Sequence, residues 1–326
     1  MMVNLACILA AVLVLWKAAD WFVDGAVGLA ERLGAPKMLV GIVLVSFCTT
    51  APEFMSSFLA TLQGQPVIAL GNAVGSITVD VGVALALAAL LASTPLQADP
   101  LIFRTSGVFV LLALGLGFAL CMDGTLGRLD GAVLLASYAG YVTVAYRQYA
   151  RRQKDPVVRE RMAALAEHEQ AVASISTPKI VGLFAGGIAG VLAGAELLIH
   201  GAVGVAAAFG LPPEVIGLTV VAIGTSVPEI VTCVASALKR QSQIGVGNII
   251  GADILNICWV AGASAVANPL TAEVKVIWFM FPAALVLVGA MVVLLRMGYN
   301  LTRWNGAVLL ALYAGYMALL LLGAGR

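Results

Sequence analysis

Apolar stretches of about 20 to 30 residues, separated by short polar turns, follow one another along nearly the whole chain. A helix needs about 20 apolar residues to cross a bilayer. Ten such spans are predicted, at roughly 3–33, 37–63, 66–93, 100–121, 129–149, 179–209, 213–238, 243–267, 273–296 and 303–323. The first is long enough to cross at a strong tilt. It lacks a basic flank and a small-residue cleavage pattern and runs on into Asp20 and Asp24, so it reads as a retained helix rather than a removed signal. The surroundings of Cys7 do not make a lipid-attachment site. The longest polar interval, 150–177, carries Arg151, Arg152, Lys154, Asp155, Arg159, Glu160, Arg161, Glu167 and Glu169. It is too short for a core of its own and reads as a partly helical connector.

The pattern repeats. Gly41-Ile-Val-Leu-Val-Ser-Phe-Cys-Thr-Thr-Ala-Pro-Glu53 has a twin 176 positions later, Gly217-Leu-Thr-Val-Val-Ala-Ile-Gly-Thr-Ser-Val-Pro-Glu229. Asp24-Gly-Ala-Val-Gly28 aligns with His200-Gly-Ala-Val-Gly204 at the same offset, as do Gly34 and Pro36 with Gly210 and Pro212. Near the ends of the halves, residues 131–141 and 306–316 are identical at ten of eleven positions, at an offset of 175. One single-residue insertion therefore separates two copies. The organisation predicted is a first repeat over 1–149, the connector over 150–177 and a second repeat over 178–326.

Five spans per copy is an odd number, so the copies must insert with opposite orientation. Charge agrees. With the N-terminus outside, the cytoplasmic side collects Arg32, Lys37, Arg104, Arg147, Arg151, Arg152, Lys154, Arg159, Arg161, Lys179, Lys239, Arg240, Arg296 and Arg303, against Arg128, Lys275 and Arg326 outside. The turn after the first motif, Gln63-Gly64-Gln65-Pro66, is uncharged, whereas its twin is Lys239-Arg240-Gln241-Ser242. Paired turns of opposite charge character are what inverted repeats produce.

Composition fixes the class. The chain is 61% hydrophobic and 11% charged over 326 residues, with mean hydropathy +1.02. No soluble domain needs so much apolar surface; this is an all-α polytopic membrane protein. The five cysteines, Cys7, Cys48, Cys121, Cys233 and Cys258, sit singly in apolar segments and show neither metal spacing nor a disulfide framework.

Within the apolar spans the polar residues are few. A proline in a membrane helix by itself makes a kink, and a Ser or Thr by itself bonds back to its own backbone. A mid-span glutamate costs at least a few kcal/mol and marks an ion or proton path by default. Glu53 and Glu229 are two of them, related by the repeat. The second span is expected to break at Thr49–Pro52, and read as helix Thr49 and Thr50 share a face with Glu53, and Thr225 and Ser226 share one with Glu229. Pro52 and Pro228 lack an N–H and free the carbonyls of Cys48 and Gly224. Carboxylate, hydroxyls and carbonyl make an all-oxygen set suited to hard cations such as Ca²⁺ and Na⁺. A second element follows each glutamate: Gly71-Asn72…Gly75 ending at Asp80, and Gly247-Asn248…Gly251 ending at Asn256. Its glycines predict a broken helix, with Asp80 and Asn256 adding side-chain oxygens and Ser76 beside them. Asp253 either caps a helix starting near Ile254 or adds charge at the edge of the site.

These two stretches resemble the α-repeats of the sodium/calcium exchanger family, in the cation/calcium antiporter superfamily and of prokaryotic type. The family pattern is G-T-S-A-P-E followed by G-N-x-x-G-S-N-I-x-N. The second copy reads Gly224-Thr225-Ser226-Val227-Pro228-Glu229, then Gly247-Asn248-Ile-Ile-Gly251-Ala252-Asp253-Ile254-Leu255-Asn256. The resemblance spans the whole chain. It implies ten helices in two inverted halves, Glu53 and Glu229 as the central site, and Thr49, Thr50, Thr225, Ser226, Ser76, Asp80 and Asn256 as surrounding ligands. It also implies that the first and sixth helices slide as a gate across the other eight. The sequence departs from the pattern at Cys48, where Gly is usual, at Ala252 and Ile77, which lose polar groups, and at Asp253, which adds an acid. Asp80 stands where the first repeat often has Asn, with Asn256 its partner.

The expected activity is Ca²⁺/Na⁺ antiport by alternating access, not an enzymatic reaction. The expected partners are Ca²⁺, Na⁺ and the lipid bilayer, with no cofactor and no nucleic acid. The expected unit is a monomer in a bacterial or archaeal cell membrane, with both termini outside and the connector cytoplasmic. Buried acids so close together should titrate as a coupled set. Proton coupling is the nearest rival, although the proton-coupled branch typically has G-N-x-x-E where this chain keeps Thr and Pro. Potassium co-transport stays open, given the Asp80/Asn256 transposition. A cation channel would not need two acid-centred inverted elements. An intramembrane hydrolase finds no paired Asp motif and no Ser–His arrangement here.

Overall fold

The computed structural model describes residues 2–154, 176–208 and 222–322. Most of the connector, and the second copy's Gly210, Pro212 and Gly217, lie outside the described residues. The chain is helical: α1 (Met2–Leu33), α2 (Lys37–Thr49), α3 (Ala51–Leu62), α4 (Pro66–Leu91), α5 (Pro100–Leu120), α6 (Arg128–Lys154), α7 (Thr177–Ala208), a short α8 (Ala222–Thr225), α9 (Val227–Leu238), α10 (Ser242–Ala267), α11 (Val276–Arg296) and α12 (Arg303–Leu321). Six of these are long and apolar enough to cross a membrane, and α2 with α3, bent by 45° at their junction, count as a seventh when taken as one span. The protein is an integral membrane protein.

Local chemistry sets the boundaries. Gly34, at φ +60°, takes the left-handed position that closes α1. Asp99 accepts from the backbone N–H of Leu101 (3.0 Å) and Ile102 (3.2 Å), capping α5. Thr302 and Asn305 form a capping box at the start of α12.

Burial orders the layers. α4 and α10 are mostly buried along their apolar length, whereas α1 and α7 are mostly not. α4 and α10 therefore lie at the centre, with α5, α11 and α12 sharing their core. α1 and α7 run antiparallel along one another, with Phe22 and Phe184 rings 4.9 Å apart. This pair meets the rest through two small clusters separate from the main core. In one, Leu15, Ala18, Ala19, Val191 and Ala195 pack on Val227. In the other, Phe22, Ala26 and Ala30 pack on Val40, Val45 and Ile244.

Four two-residue strands place the loops: β1 (Leu96–Gln97), β2 (Thr125–Leu126), β3 (Leu270–Thr271) and β4 (Asn300–Leu301). β1 pairs antiparallel with β4, and β2 with β3. α5 joins β1 to β2 and, at 1.5 Å per residue, holds them about 30 Å apart. The sequence repeat aligns β1 with β3 and β2 with β4. The loops it aligns therefore lie at opposite ends of α5. The Lys239–Ser242 turn lies at the β1 end, where the Gln97 N–H donates to Ser242 Oγ (2.9 Å), while α4 starts near β3.

One expectation is corrected. α4 and α10 are not broken at their glycines. Both continue as helix, because their backbone groups stay paired inside the bundle, and the irregularity falls later, in π-helical turns over Asp80–Leu85 and Asn256–Ala261. The glycines serve packing instead. A Cβ on Gly251 would stand 2.5 Å from Ser46 Oγ and 2.8 Å from Ile42 Cα, and one on Gly247 would stand 3.2 Å from Gly41 Cα. These small residues let the α2 backbone lie directly on α10.

Candidate ion-binding site

The α2–α3 junction falls at Thr50 (φ −76°, ψ 1°), and the α8–α9 junction at Ser226 (φ −85°, ψ 5°). Each proline sits in the first turn of the new helix, where its missing N–H has no helical partner to lose. The prolines thus start new helices, and in the first copy the break falls within the expected Thr49–Pro52 stretch. Thr50-Ala-Pro-Glu53 and Ser226-Val-Pro-Glu229 then have the spacing of capping boxes. Neither hydroxyl caps its own helix. Thr50 Oγ1 donates to Glu229 Oε1 (3.3 Å), and Ser226 Oγ donates to Glu53 Oε1 (3.3 Å). Each half's hydroxyl holds the other half's acid. Both glutamates occupy the third position of their helices, where the positive end of the helix dipole favours a carboxylate.

α4 and α10 flank this pair. Asp80 and Asn256 open their π turns, and the two helices cross there: Asp80–Leu85 packs on Ser242–Leu255, and Pro66–Val79 on Asn256–Ala261. Ser76 lies one turn before Asp80 on the same face. Thr49 Oγ1 donates to Asn248 Oδ1 (3.0 Å), tying α2 to α10. Asn72 Nδ2 donates to Ser57 Oγ (2.9 Å), Ser56 Oγ (3.3 Å) and the Glu53 carbonyl (3.4 Å), tying α4 to α3.

Burial is complete where it matters. Glu53, Asp80, Glu229, Asp253, Asn256, Thr49, Thr50, Ser226 and Ser76 are all buried, and Thr225 nearly so. No Lys, Arg or His is buried among the described residues. One oxygen of each glutamate, both oxygens of Asp80 and of Asp253, Asn256 Oδ1 and Ser76 Oγ are buried without a hydrogen-bond partner. An uncompensated buried charge costs several kcal/mol even after the protein relaxes. Among the described residues, no three acidic, His or Cys side chains gather tightly enough to hold an ion by themselves. Hydroxyl and amide oxygens must complete any coordination shell.

Asp253, Cys48 and Gly224 take the following places. Asp253 does not cap a helix, because α10 runs straight through it. Cys48 packs its side chain on the cluster around Phe22 and Ala26, so only its carbonyl could contribute to the site. Gly224 is buried against α7, where a Cβ would stand 3.0 Å from Ile199 Cδ1. Asp20 and Asp24 pair with Lys239 Nζ, at 3.5 and 2.6 Å, and Asp20 also offers it a carbonyl at 2.9 Å. Asn72 and Asn248, both in the repeated Gly-Asn pair, stand outside the predicted ligand set and act as hydrogen-bond ties between helices around the acids. That shared pair is the signal that could have found them.

The family model for the sodium/calcium exchanger protein matches residues 3–147 and 179–322. The chain is 27% identical to the sodium/calcium exchanger MaX1 of Methanosarcina acetivorans, over 98% of each chain. It is 31% identical to the inner membrane protein YrbG of Escherichia coli, over 82% of this chain and 81% of the relative. Its structure superposes on that of the sodium-calcium exchanger NCX_Mj with a TM-score of 0.82, at 27% identity over 98% of both chains.

Proposed function

Because the chain belongs to the sodium/calcium exchanger family, we propose that it is a secondary active antiporter that moves Ca²⁺ against Na⁺ by alternating access. The observation that carries this reading is the set of fully buried carboxylates with unpartnered oxygens and no buried cation among the described residues. Such a site calls for an exogenous cation. Its oxygens suit hard ions and offer no soft ligand.

Glu53 and Glu229 are the central ligands in this reading. Thr49, Thr50, Thr225, Ser226, Ser76, Asp80 and Asn256 supply further oxygens, with the carbonyls of Cys48 and Gly224. If ionised, Glu53, Glu229 and Asp80 present three negative charges, of which Ca²⁺ neutralises two and three Na⁺ neutralise all. One set of ligands thus serves either cargo in turn, and occupancy permits the switch. The switch is a sliding of the α1–α7 pair, supported by its thin, small-residue interface with the rest of the molecule. The architecture is ten spans in two inverted five-helix repeats, 1–149 and 178–326. The connector 150–177 is cytoplasmic and both termini are outside, in a prokaryotic cell membrane. The opposite placement of repeat-aligned loops supports the inversion.

The test is ⁴⁵Ca²⁺ uptake into sealed proteoliposomes under imposed Na⁺, K⁺ or H⁺ gradients. An outward Na⁺ gradient is expected to drive uptake. Glu53→Gln and Glu229→Gln are each expected to reduce it about 100-fold or more, beyond the roughly 10- to 100-fold lost when only an outer-shell partner of a metal ligand is removed. Uptake driven by H⁺ and not by Na⁺ would overturn the choice of coupling ion.

A further inference from the structure

The α1–α7 pair does not meet the two halves alike. On α9, Val231 and Ala235 pack on the cluster around Leu15, Ala18 and Ala19, and Lys239 continues the same face one turn further on. The repeat aligns these three residues with Met55, Leu59 and Gln63 along α3 and its turn. There Met55 and Leu59 are 52% and 45% exposed, and Gln63 is exposed as well. α1 thus packs on α9, whereas α7 has no comparable packing on α3 among the described residues. In the sliding switch proposed above, α7 on α3 is the counterpart of α1 on α9, so the structure holds one of two end positions.

Charge singles out the covered end. Lys239 Nζ lies 2.6 Å from Asp24 Oδ1 and 3.5 Å from Asp20 Oδ1, and donates to the Asp20 carbonyl at 2.9 Å. Asp20 and Asp24 are one turn apart on α1, so one ammonium bridges both. Their repeat partners on α7 are Glu196 and His200, both exposed. Gln63 has no charge to offer them, α3 and its turn through Pro66 carry no Lys or Arg, and His200 stands where the first copy has an acid. We propose that Lys239, held by Asp20 and Asp24, is a latch that favours the end position with α1 on α9, and that Gln63 gives the reverse position no equal hold. This rests on the antiporter reading above. Ion pairs this exposed add little to overall stability. Between two folded positions that differ in which end is covered, the same pair sets the balance. The Lys239 end is then the closed end at rest.

The experiment reads that balance from two reporters, Ala235→Cys and Leu59→Cys, placed singly in a background without the native cysteines. Purified protein in detergent is treated with a water-soluble maleimide, and the readout is the rate for Ala235→Cys divided by the rate for Leu59→Cys. The latched position covers the first reporter and leaves the second open, so the ratio follows the equilibrium between positions. A general loosening raises both rates and leaves the ratio unchanged. Lys239→Gln, which copies the twin residue, is expected to raise the ratio about two- to fivefold, the range of a partly exposed ion pair. Lys239→Arg should keep it. Gln63→Lys combined with His200→Asp gives the reverse position a latch of its own and should also raise the ratio, which decides the matter where Lys239→Gln does not fold. An unchanged ratio in Lys239→Gln, or in the combined variant, overturns the inference. Labelling needs no transport, so the two readings fail separately. A changed ratio in a protein that drives no Ca²⁺ uptake supports the latch and removes the antiporter reading, and an unchanged ratio in one that transports overturns the latch alone.

Discussion

The exchange of hydroxyls between the two halves is the feature on which the site's geometry depends. Thr50 and Ser226 each leave their own helix uncapped to hold the glutamate of the other half. A hydrogen bond to a charged group contributes about 1.5–3 kcal/mol. Thr50→Val and Ser226→Ala are each therefore expected to weaken Ca²⁺ binding by roughly 10- to 100-fold, whereas Ser226→Thr should retain most of it. Ca²⁺ titration of the purified variants followed by calorimetry checks this, and unchanged affinity in both would separate the hydroxyls from the site. The two glutamates are legible in the sequence because a mid-span carboxylate is too costly to be kept for packing alone. The partner of each hydroxyl is not. The spacing places Thr50 next to Glu53 along the chain, and only the meeting of two halves 176 residues apart makes Glu229 its acceptor. Asp253 reads as a possible cap for a related reason. Glycines suggest a break that the surrounding bundle suppresses.

Helix ends and helix crossings carry the next level. α3 and α9 both start inside the molecule, so their N-termini point positive dipole ends at the acids. The π turns at Asp80 and Asn256 fall in matching places of the two central helices. Close approach of α2 to α10 depends on Gly247 and Gly251. Gly251→Val would drive carbon into Ser46 Oγ and the Ile42 backbone. The expected loss is about 1–3 kcal/mol, the usual cost of overpacking, read as a lowered Tm in detergent. The ion pairs from Lys239 to Asp20 and Asp24 join the α9 end to α1 on one side of the molecule only, since the repeat partner of Lys239 is the uncharged Gln63. These groups are partly exposed, so Lys239→Met should change overall stability by less than about 1 kcal/mol. Its larger expected effect is faster hydrogen exchange in the α1 amides around residues 20–30, because α1 loses a tether to the bundle. Exchange unchanged in that segment would count against such a role.

At the scale of the whole molecule, the hydrophobic pattern and the repeat are enough to read a helical membrane protein with two related halves. Helix boundaries within the described residues fall within a few residues of the predicted spans. The short strand pairs are invisible in the sequence, because two-residue ladders leave no periodicity. They nevertheless show how the halves are joined, with repeat-aligned loops at opposite ends of α5. The proposed inverted insertion has a direct consequence. In a background without the five native cysteines, Gln63→Cys and Arg240→Cys should react with a membrane-impermeant maleimide from opposite faces of sealed vesicles. Labelling of both from one face would refute the inversion. In the proposed mechanism a single ligand set serves Na⁺ and Ca²⁺ in turn. Its most direct test is titration of Ca²⁺ into the purified protein at a series of Na⁺ concentrations. The apparent Ca²⁺ Kd is expected to rise with more than the first power of Na⁺, because several Na⁺ must leave the acids that one Ca²⁺ occupies. A Ca²⁺ affinity indifferent to Na⁺ would contradict the shared site.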